Sequence, residues 1–438
     1  MNSNDPAPES SGGVVPTPTS PDKRKPTGAA LAIWCMTAAF GAYFCMYGIR
    51  KPFTATTYVG QTAFGMDLKS ALVMVQVIGY MLSKFIGIKV IAEMPPGRRV
   101  AGIAGLTSVA LASLLGFALT PVPWSVGFLF VNGLMLGMVF GLVLGFLEGR
   151  RMTELLAAGL CTSFILADGV TKSVGSWLVG QGVPELWMPF TAGAIFMVPL
   201  AFFLWMLSRI PQPDDGDRAE RQERILMTYD DRLRYFRHYA FGLVCIISAY
   251  LLITLIRSLR ADFAPEIWAA MAYLTTPEIY TTSELWVALA ILASAGLFSL
   301  YRNNRVALFH SLVACAVGLL LLPVSLMGIK SGWISPFWFM VLVGLGLYLP
   351  YVLVHTTVFE RIMAVTPDRG NIGFLMYLAD SMGYLGYVLL MFTKKHLPVS
   401  EDPFEFFARL CLIAGSLGII AFVSALIYFK VKLRPSGT

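Results

Sequence analysis

The sequence predicts an all-α membrane protein of twelve transmembrane helices arranged as two pseudo-symmetric six-helix bundles. Three observations carry this expectation. First, 56% of the 438 residues are hydrophobic and only 13% are charged, roughly half the charged share of a soluble domain, and the mean hydropathy is +0.68. Too few polar side chains exist to clothe a water-facing surface, so lipid must be the solvent. Second, apolar runs of about twenty residues, each long enough to cross about 30 Å of hydrocarbon as a helix, recur along almost the whole chain. They are continuous rather than alternating, which excludes a transmembrane β-barrel. Third, the two halves of the chain repeat each other.

Residues 1–27 are rich in Pro, Ser, Thr and Asn with no apolar core. They read as a disordered cytoplasmic tail and not as a cleavable signal. Spans are expected near 28–54, 70–92, 99–120, 124–147, 155–182 and 187–208, forming an N-terminal bundle over 28–208. A cytoplasmic middle loop over 209–237 mixes acids and bases and reads as an amphipathic, surface-lying tether. A C-terminal bundle over 238–432 follows, with spans near 238–262, 281–300, 306–327, 334–359, 370–393 and 405–430. Cys35, Cys45, Cys161, Cys245, Cys315 and Cys411 all fall in spans without metal-ligand spacing, so they read as small apolar residues. Trp187, Trp286, Trp333 and Trp338 stand at span ends as interfacial anchors.

Lys and Arg set the orientation. Lys23, Arg24, Lys25, Arg98, Arg99, Arg150, Arg151, Arg302, Arg305, Arg361, Arg369 and Lys430 all fall on one side of the predicted membrane. Asp67, Glu185, Asp262, Glu266, Glu278 and Glu284 are read as belonging to the opposite loops. The positive-inside rule then puts both termini in the cytoplasm of a multi-pass inner-membrane protein. The net charge of +7 follows from this topology and calls for no nucleic-acid partner; the partners expected are the lipid bilayer and a small anionic solute.

The repeat is direct. Ala42-Tyr43 precedes Arg50 as Ala249-Tyr250 precedes Arg257; Arg99-Val100-Ala101 answers Arg305-Val306-Ala307; Leu166-Ala167-Asp168 answers Leu378-Ala379-Asp380. Glu148 precedes Asp168 by the same interval as Glu360 precedes Asp380. Matches in order at nearly one offset imply two bundles related by a pseudo-twofold axis along the membrane normal, with a solute site near the midplane where they meet. This architecture resembles the major facilitator superfamily, and by that analogy a monomer is expected.

Ionisable side chains inside spans cost at least about 2.5–3.5 kcal/mol and mark pathways or pairs. Tyr43, Tyr47 and Arg50 share a helix face at i, i+4 and i+7, and Tyr250, Thr254 and Arg257 do the same in the other half. The pseudo-twofold aims both guanidinium groups at the centre, an arrangement suited to a tetrahedral oxyanion. Lys84 lies mid-span. Asp168 and Lys172 stand at i, i+4 and can pair, whereas Asp380 has Tyr384 at that spacing. His355 follows the helix-kinking Pro350. Asp168, Lys172, Asp380 and His355 are therefore candidates for coupling or for structural ion pairs, and Glu148 and Glu360 for gate salt bridges.

Tyr47-Gly48-Ile49-Arg50-Lys51-Pro52-Phe53 resembles the first-helix signature of the organophosphate:phosphate antiporters, the family of glycerol-3-phosphate and hexose-phosphate transporters. Ser83-Lys84-Phe85-Ile86, and Ile256-Arg257 followed by Asp262 and Pro265, are similar to further segments of that family. The resemblance implies Arg50 and Arg257 as a phosphate clamp with Lys51 and Lys84 as supporting cations. Where that family has a histidine in helix 5, this chain has Asp168.

The expected function is secondary active transport of a small anionic metabolite, phosphorylated metabolites included, by alternating access, in exchange for phosphate or with protons. A proton symporter of a non-phosphate solute using an intramembrane Asp, and a transporter-like sensor without turnover, stay open beside it. No enzyme signature, metal site, cofactor site or Gly-rich nucleotide loop is present in the sequence, so a gradient is expected to supply the energy.

Overall fold

The computed structural model describes residues 28–147, 153–211, 229–273, 276–366, 372–394 and 402–433. The N-terminal half comprises α1 (Gly28–Arg50), α2 (Leu68–Glu93), α3 (Pro96–Leu119), α4 (Val126–Leu136), α5 (Val139–Leu144), α6 (Thr153–Gly180) and α7 (Met188–Ser208). After the short α8 (Tyr229–His238) come α9 (Ala240–Asp262), α10 (Ala264–Ala270), α11 (Glu278–Ser299) and α12 (Asn304–Lys330). The C-terminal half closes with α13 (Pro336–Leu353), a π turn (Val354–Val358), α14 (Phe359–Val365), α15 (Ile372–Lys394) and α16 (Pro403–Lys432).

Ten helical segments among the described residues are long and apolar enough to cross a membrane, with α4–α5 and α13–α14 each counting as one. The other two members of the expected twelve are α6, whose hydropathy is lowered by Asp168 and Lys172, and α15, which contains the shorter apolar stretch Leu378–Thr393. Large apolar side chains face outward, including Val198, Met327 and Ile420. In lipid that is their preferred environment.

The packing obeys the pseudo-twofold. Within the first half α1 packs on α6 and α7, α3 on α4 and α7, and α2 on α4. Each contact has its mate in the second half: α9 on α15 and α16, α12 on α13 and α16, and α11 on α13. The halves meet along two seams, α6 against α11 and α2 against α15. The repeat carries α2 onto α11 and α6 onto α15, so each seam is the symmetry mate of the other.

Local chemistry sets several boundaries. Helix α1 stops at Arg50, short of the expected residue 54, because Pro52 cannot donate to the ladder; a 3-10 turn (Pro52–Ala55) replaces the last turn. Asp67 caps α2 by accepting from Ser70 N at 2.9 Å, and Asn303 caps α12 by accepting from Arg305 N and Val306 N. The span carrying Pro350 is not one continuous α-helix, since its backbone widens into the π turn four residues on. Two sequence readings are corrected. Asp262 does not lie in an outer loop but closes α9, 1% exposed, and Glu284 is buried within α11, 6% exposed. Its partner Arg260 makes that burial tolerable.

Helices α2 and α4 approach backbone to backbone. A Cβ on Gly133 would stand 2.1 Å from the Gln76 carbonyl oxygen, and one on Gly79 would stand 2.3 Å from that of Phe130. Small residues permit such contact in membranes. Gly133→Val is therefore expected to force the pair apart and destabilise the protein by about 1–3 kcal/mol or more. Thermal unfolding of the purified protein checks this, and an unchanged midpoint refutes the tight approach.

Candidate functional site

A narrow, nearly closed crevice between the halves, with a cavity volume of about 20 Å³, is lined by Tyr47, Arg50, Lys51 and Asp168 from the first half and by Arg257, Asp262, Tyr348, Tyr384 and Tyr387 from the second. Arg50 ends α1, and its position is held from behind. Gln76 Nε2 donates to the Arg50 carbonyl at 2.7 Å and to Asn132 Oδ1 at 2.9 Å, while Asn132 Nδ2 reaches the Ile49 carbonyl at 3.3 Å. The carbonyls left over where Pro52 breaks the helix are thus satisfied by two buried amides.

The guanidinium of Arg50 lies 3.7 Å from the centroid of the Tyr80 ring and 5.3 Å from that of Tyr47. Arg257 lies 4.4 Å from the Tyr351 ring centroid and 5.9 Å from that of Phe164. Tyr47 stacks on Phe164 at 6.1 Å, so the two arginines flank a continuous aromatic stack. Aromatic faces recover part of the cost of burying a cation, up to about 2 kcal/mol each. They leave most of the N–H donors unspent. Arg50 gives one side-chain hydrogen bond among the described residues, Nη1 to the Tyr47 hydroxyl at 3.2 Å, and Arg257 gives none. The Nε of each is buried without a partner. Neither arginine has a carboxylate partner among the described residues.

The other charges are matched. Lys172 Nζ lies 2.6 Å from Asp168 Oδ2 on the same helix. Lys51 is bonded to Asp262 across the halves, and Asp262 also accepts from the Tyr387 hydroxyl at 2.9 Å. Lys69, at the start of α2, grips both oxygens of Glu266 at 2.7 and 2.8 Å. Lys84 is bonded to Asp380, which has no lysine at i+4 and takes one from the opposite half instead. In these three cross-half pairs the lysine belongs to the first half and the acid to the second. Lys51 and Lys84, expected as supporting cations for a solute, are therefore engaged by protein carboxylates in this state.

The site residues expected from sequence fall into two adjoining groups. Tyr47, Arg50, Lys51, Asp168 and Arg257 line the crevice, with Lys172 bonded to Asp168. Lys84, Tyr250, His355 and Asp380 form a hydrogen-bonded cluster beside it. Tyr43 links them through the Tyr80 hydroxyl at 3.5 Å and its ring contact with Tyr47. Glu360 is half-buried in the first turn of α14, and Glu148 lies outside the described residues. Sequence reasoning missed the second-half aromatics Tyr348, Tyr351 and Tyr387, along with Tyr80, Phe164, Gln76 and Asn132. The two amides were the most findable, being uncharged hydrogen-bonding groups in otherwise apolar spans. All six cysteines are free thiols, five buried and Cys245 half-buried.

Residues 52–432 match a family described as a family of unknown function (DUF5690). The chain belongs to this family. No curated protein matches its sequence. Among solved structures, the crystal structure of a D-xylose-proton symporter is similar, with a TM-score of 0.58 and 13% identity over 92% of this chain and 97% of that one. At that identity the likeness is one of fold. It places this family member on the major facilitator architecture that the helix packing describes.

Proposed function

We propose that this member of the family is a secondary active transporter that carries a small anionic, phosphorylated metabolite by alternating access. One observation carries the reading: two buried arginines, one from each half, line a single crevice with most of their donors unspent and no carboxylate of their own among the described residues. A guanidinium offers five N–H donors in a fixed fork, and two such forks on opposite moving bodies suit an oxyanion held between them. Tyrosine hydroxyls and ring faces around the crevice suit a polar, hydroxylated remainder. With the lysines around the crevice paired among the described residues, the two arginines offer positive charge that an anion would neutralise.

Exchange with inorganic phosphate and co-transport with protons are both compatible with this site. A second reading, proton symport of a non-phosphate solute, is favoured by the buried carboxylates Asp168 and Asp380 and by the fold shared with a proton symporter. The Lys and Arg distribution supports both termini on the cytoplasmic side; a monomer in the cell's inner membrane is proposed by analogy with this architecture. Uptake by proteoliposomes containing the purified full-length chain is the test. Preloaded phosphate should exchange with labelled sugar phosphates or organic acids. If no anion moves in the wild type while a neutral sugar does, the anionic reading fails. Ligand-induced stabilisation without any flux would identify a sensor.

A further inference from the structure

We propose that His355, Asp380, Tyr250 and Lys84 form a proton-binding site that sets whether Lys84 is available to an anionic solute. The proposal rests on the transport reading for its consequence, though not for the proton site itself. Four observations place it. Asp380, 8% exposed, is the hub: its Oδ2 is bonded to Lys84 across the α2–α15 seam. Its Oδ1 accepts from the Tyr250 hydroxyl at 2.6 Å and lies 3.2 Å from His355 Nε2. His355 Nε2 also lies 2.5 Å from the Tyr250 oxygen. And His355 stands in the π turn of the otherwise α-helical span, an irregularity frequent at functional sites.

The hydrogen-bond directions fix the tautomer. A carboxylate only accepts, so the single hydroxyl hydrogen of Tyr250 is committed to Asp380. The close contact between the Tyr250 oxygen and His355 Nε2 then requires the hydrogen to sit on Nε2. Neutral His355 therefore carries its lone pair on Nδ1, and that nitrogen is the place for an added proton. The other titratable groups interacting with Asp380 are Tyr80 from α2, Cys161 from α6, Tyr351 from α13 and Tyr384 from α15, with Arg257 over the Tyr351 ring. None of these is a carboxylate able to replace Asp380.

Charge balance gives the mechanism. With His355 neutral, Asp380 and Lys84 cancel and the cluster carries no net charge. A proton taken from water adds to Nδ1, no other covalent bond changes, and the imidazolium now shares the carboxylate with Lys84. The cluster is then one positive charge in excess inside a low-dielectric seam, where an uncompensated charge is costly. One negative charge on a solute, reaching the loosened Lys84 past Tyr80 and Tyr384, restores neutrality. Lys84 already lies 4.8 Å from the centroid of Tyr384, a crevice-lining ring. Proton and anion thus favour each other's binding, the thermodynamic requirement for coupling.

The test uses the full-length protein with isotope-labelled histidine in lipid nanodiscs, followed by NMR. The chain has four histidines, and His355→Gln identifies the resonance. At a single pH near mid-titration, Asp380→Asn should lower the protonated fraction of His355, equivalent to about a tenfold loss of proton affinity. Lys84→Met should raise it, because the competing cation is gone. The double variant Lys84→Met with Asp380→Asn removes both charges and leaves no orphan. It should fold normally and leave His355 more protonated than Asp380→Asn alone, where the stranded lysine still repels the imidazolium, and less protonated than Lys84→Met. A His355 that stays neutral between about pH 5 and 8, the ordinary range for imidazole, overturns the proposal. So do shifts of one sign in both single variants. Proteoliposome uptake of inorganic phosphate is scored separately: opposite-sign titration shifts with no anion flux sink the transport reading and leave the proton site standing.

Discussion

If the proposed clamp binds an anionic solute, replacing Arg50 or Arg257 with alanine is expected to reduce its uptake by about 30-fold to a few thousandfold in kcat/KM. This corresponds to the roughly 2–5 kcal/mol lost when one partner of a buried, hydrogen-bonded charge pair is truncated, at 1.4 kcal/mol per factor of ten. The loss should not come from unfolding. Each arginine rests on aromatic rings and has no carboxylate partner among the described residues, so alanine strands no buried anion. Thermal stability of both variants should match or exceed the wild type. Lys51→Ala provides the contrast. It strands Asp262, 1% exposed, whose partners are Lys51 and the Tyr387 hydroxyl, and should destabilise the protein. Arginine-to-lysine substitution keeps the charge but loses the bidentate fork, so partial recovery is expected. Uptake within about threefold of wild type in both alanine variants, far below the loss set by truncating a buried pair, rules out the clamp.

Arg50 and Arg257 are legible in the sequence because the chain repeats itself: the internal offset alone pairs them, and helical phase turns each toward the axis with its tyrosine. The same reasoning reaches the Asp168–Lys172 pair, since i, i+4 is a local relation. It cannot reach Lys51–Asp262, Lys69–Glu266 or Lys84–Asp380. Those partners are about two to three hundred residues apart and meet only through the register of two seams, which tertiary packing sets. The acids at 262, 266 and 284 read in the sequence as markers of membrane side, a rule that counts charges in loops and ignores pairing. Glu284 shows the limit of that rule. Its signal is present in Arg260, a second arginine three residues after Arg257, whose presence in a span demands a counter-charge. Tyr348 and Tyr387 carry no such demand, because a tyrosine in a span reads as apolar until its hydroxyl finds a cavity.

Glu284→Ala is expected to destabilise the protein by about 3–5 kcal/mol, the cost of breaking a buried ion pair by removing one partner. Arg260, 1% exposed, gives Nη1 to Glu284 Oε1 at 2.6 Å and Nη2 to the Met340 carbonyl at 2.9 Å. Its guanidinium packs so closely on α13 that a Cβ at Gly344 would stand 2.7 Å from Nη2. The pair therefore ties α9 to α11 and α13, and it holds the helix turn that presents Arg257. The two single variants should not be equivalent. Arginine cannot shed its proton at any accessible pH, so Glu284→Ala leaves a charge that only water or backbone can solvate. A carboxylate stranded by Arg260→Met can neutralise itself by protonation, so that variant should lose less. The double variant Arg260→Met with Glu284→Leu removes both charges at similar volume and should recover most or all of the stability, as buried pairs replaced by apolar groups commonly do. If its solute uptake nevertheless stays low, the pair serves to aim Arg257. If instead the double variant is as unstable as Glu284→Ala, measured by thermal unfolding, the stranded-charge account is wrong and the packing of the two stems carries the energy.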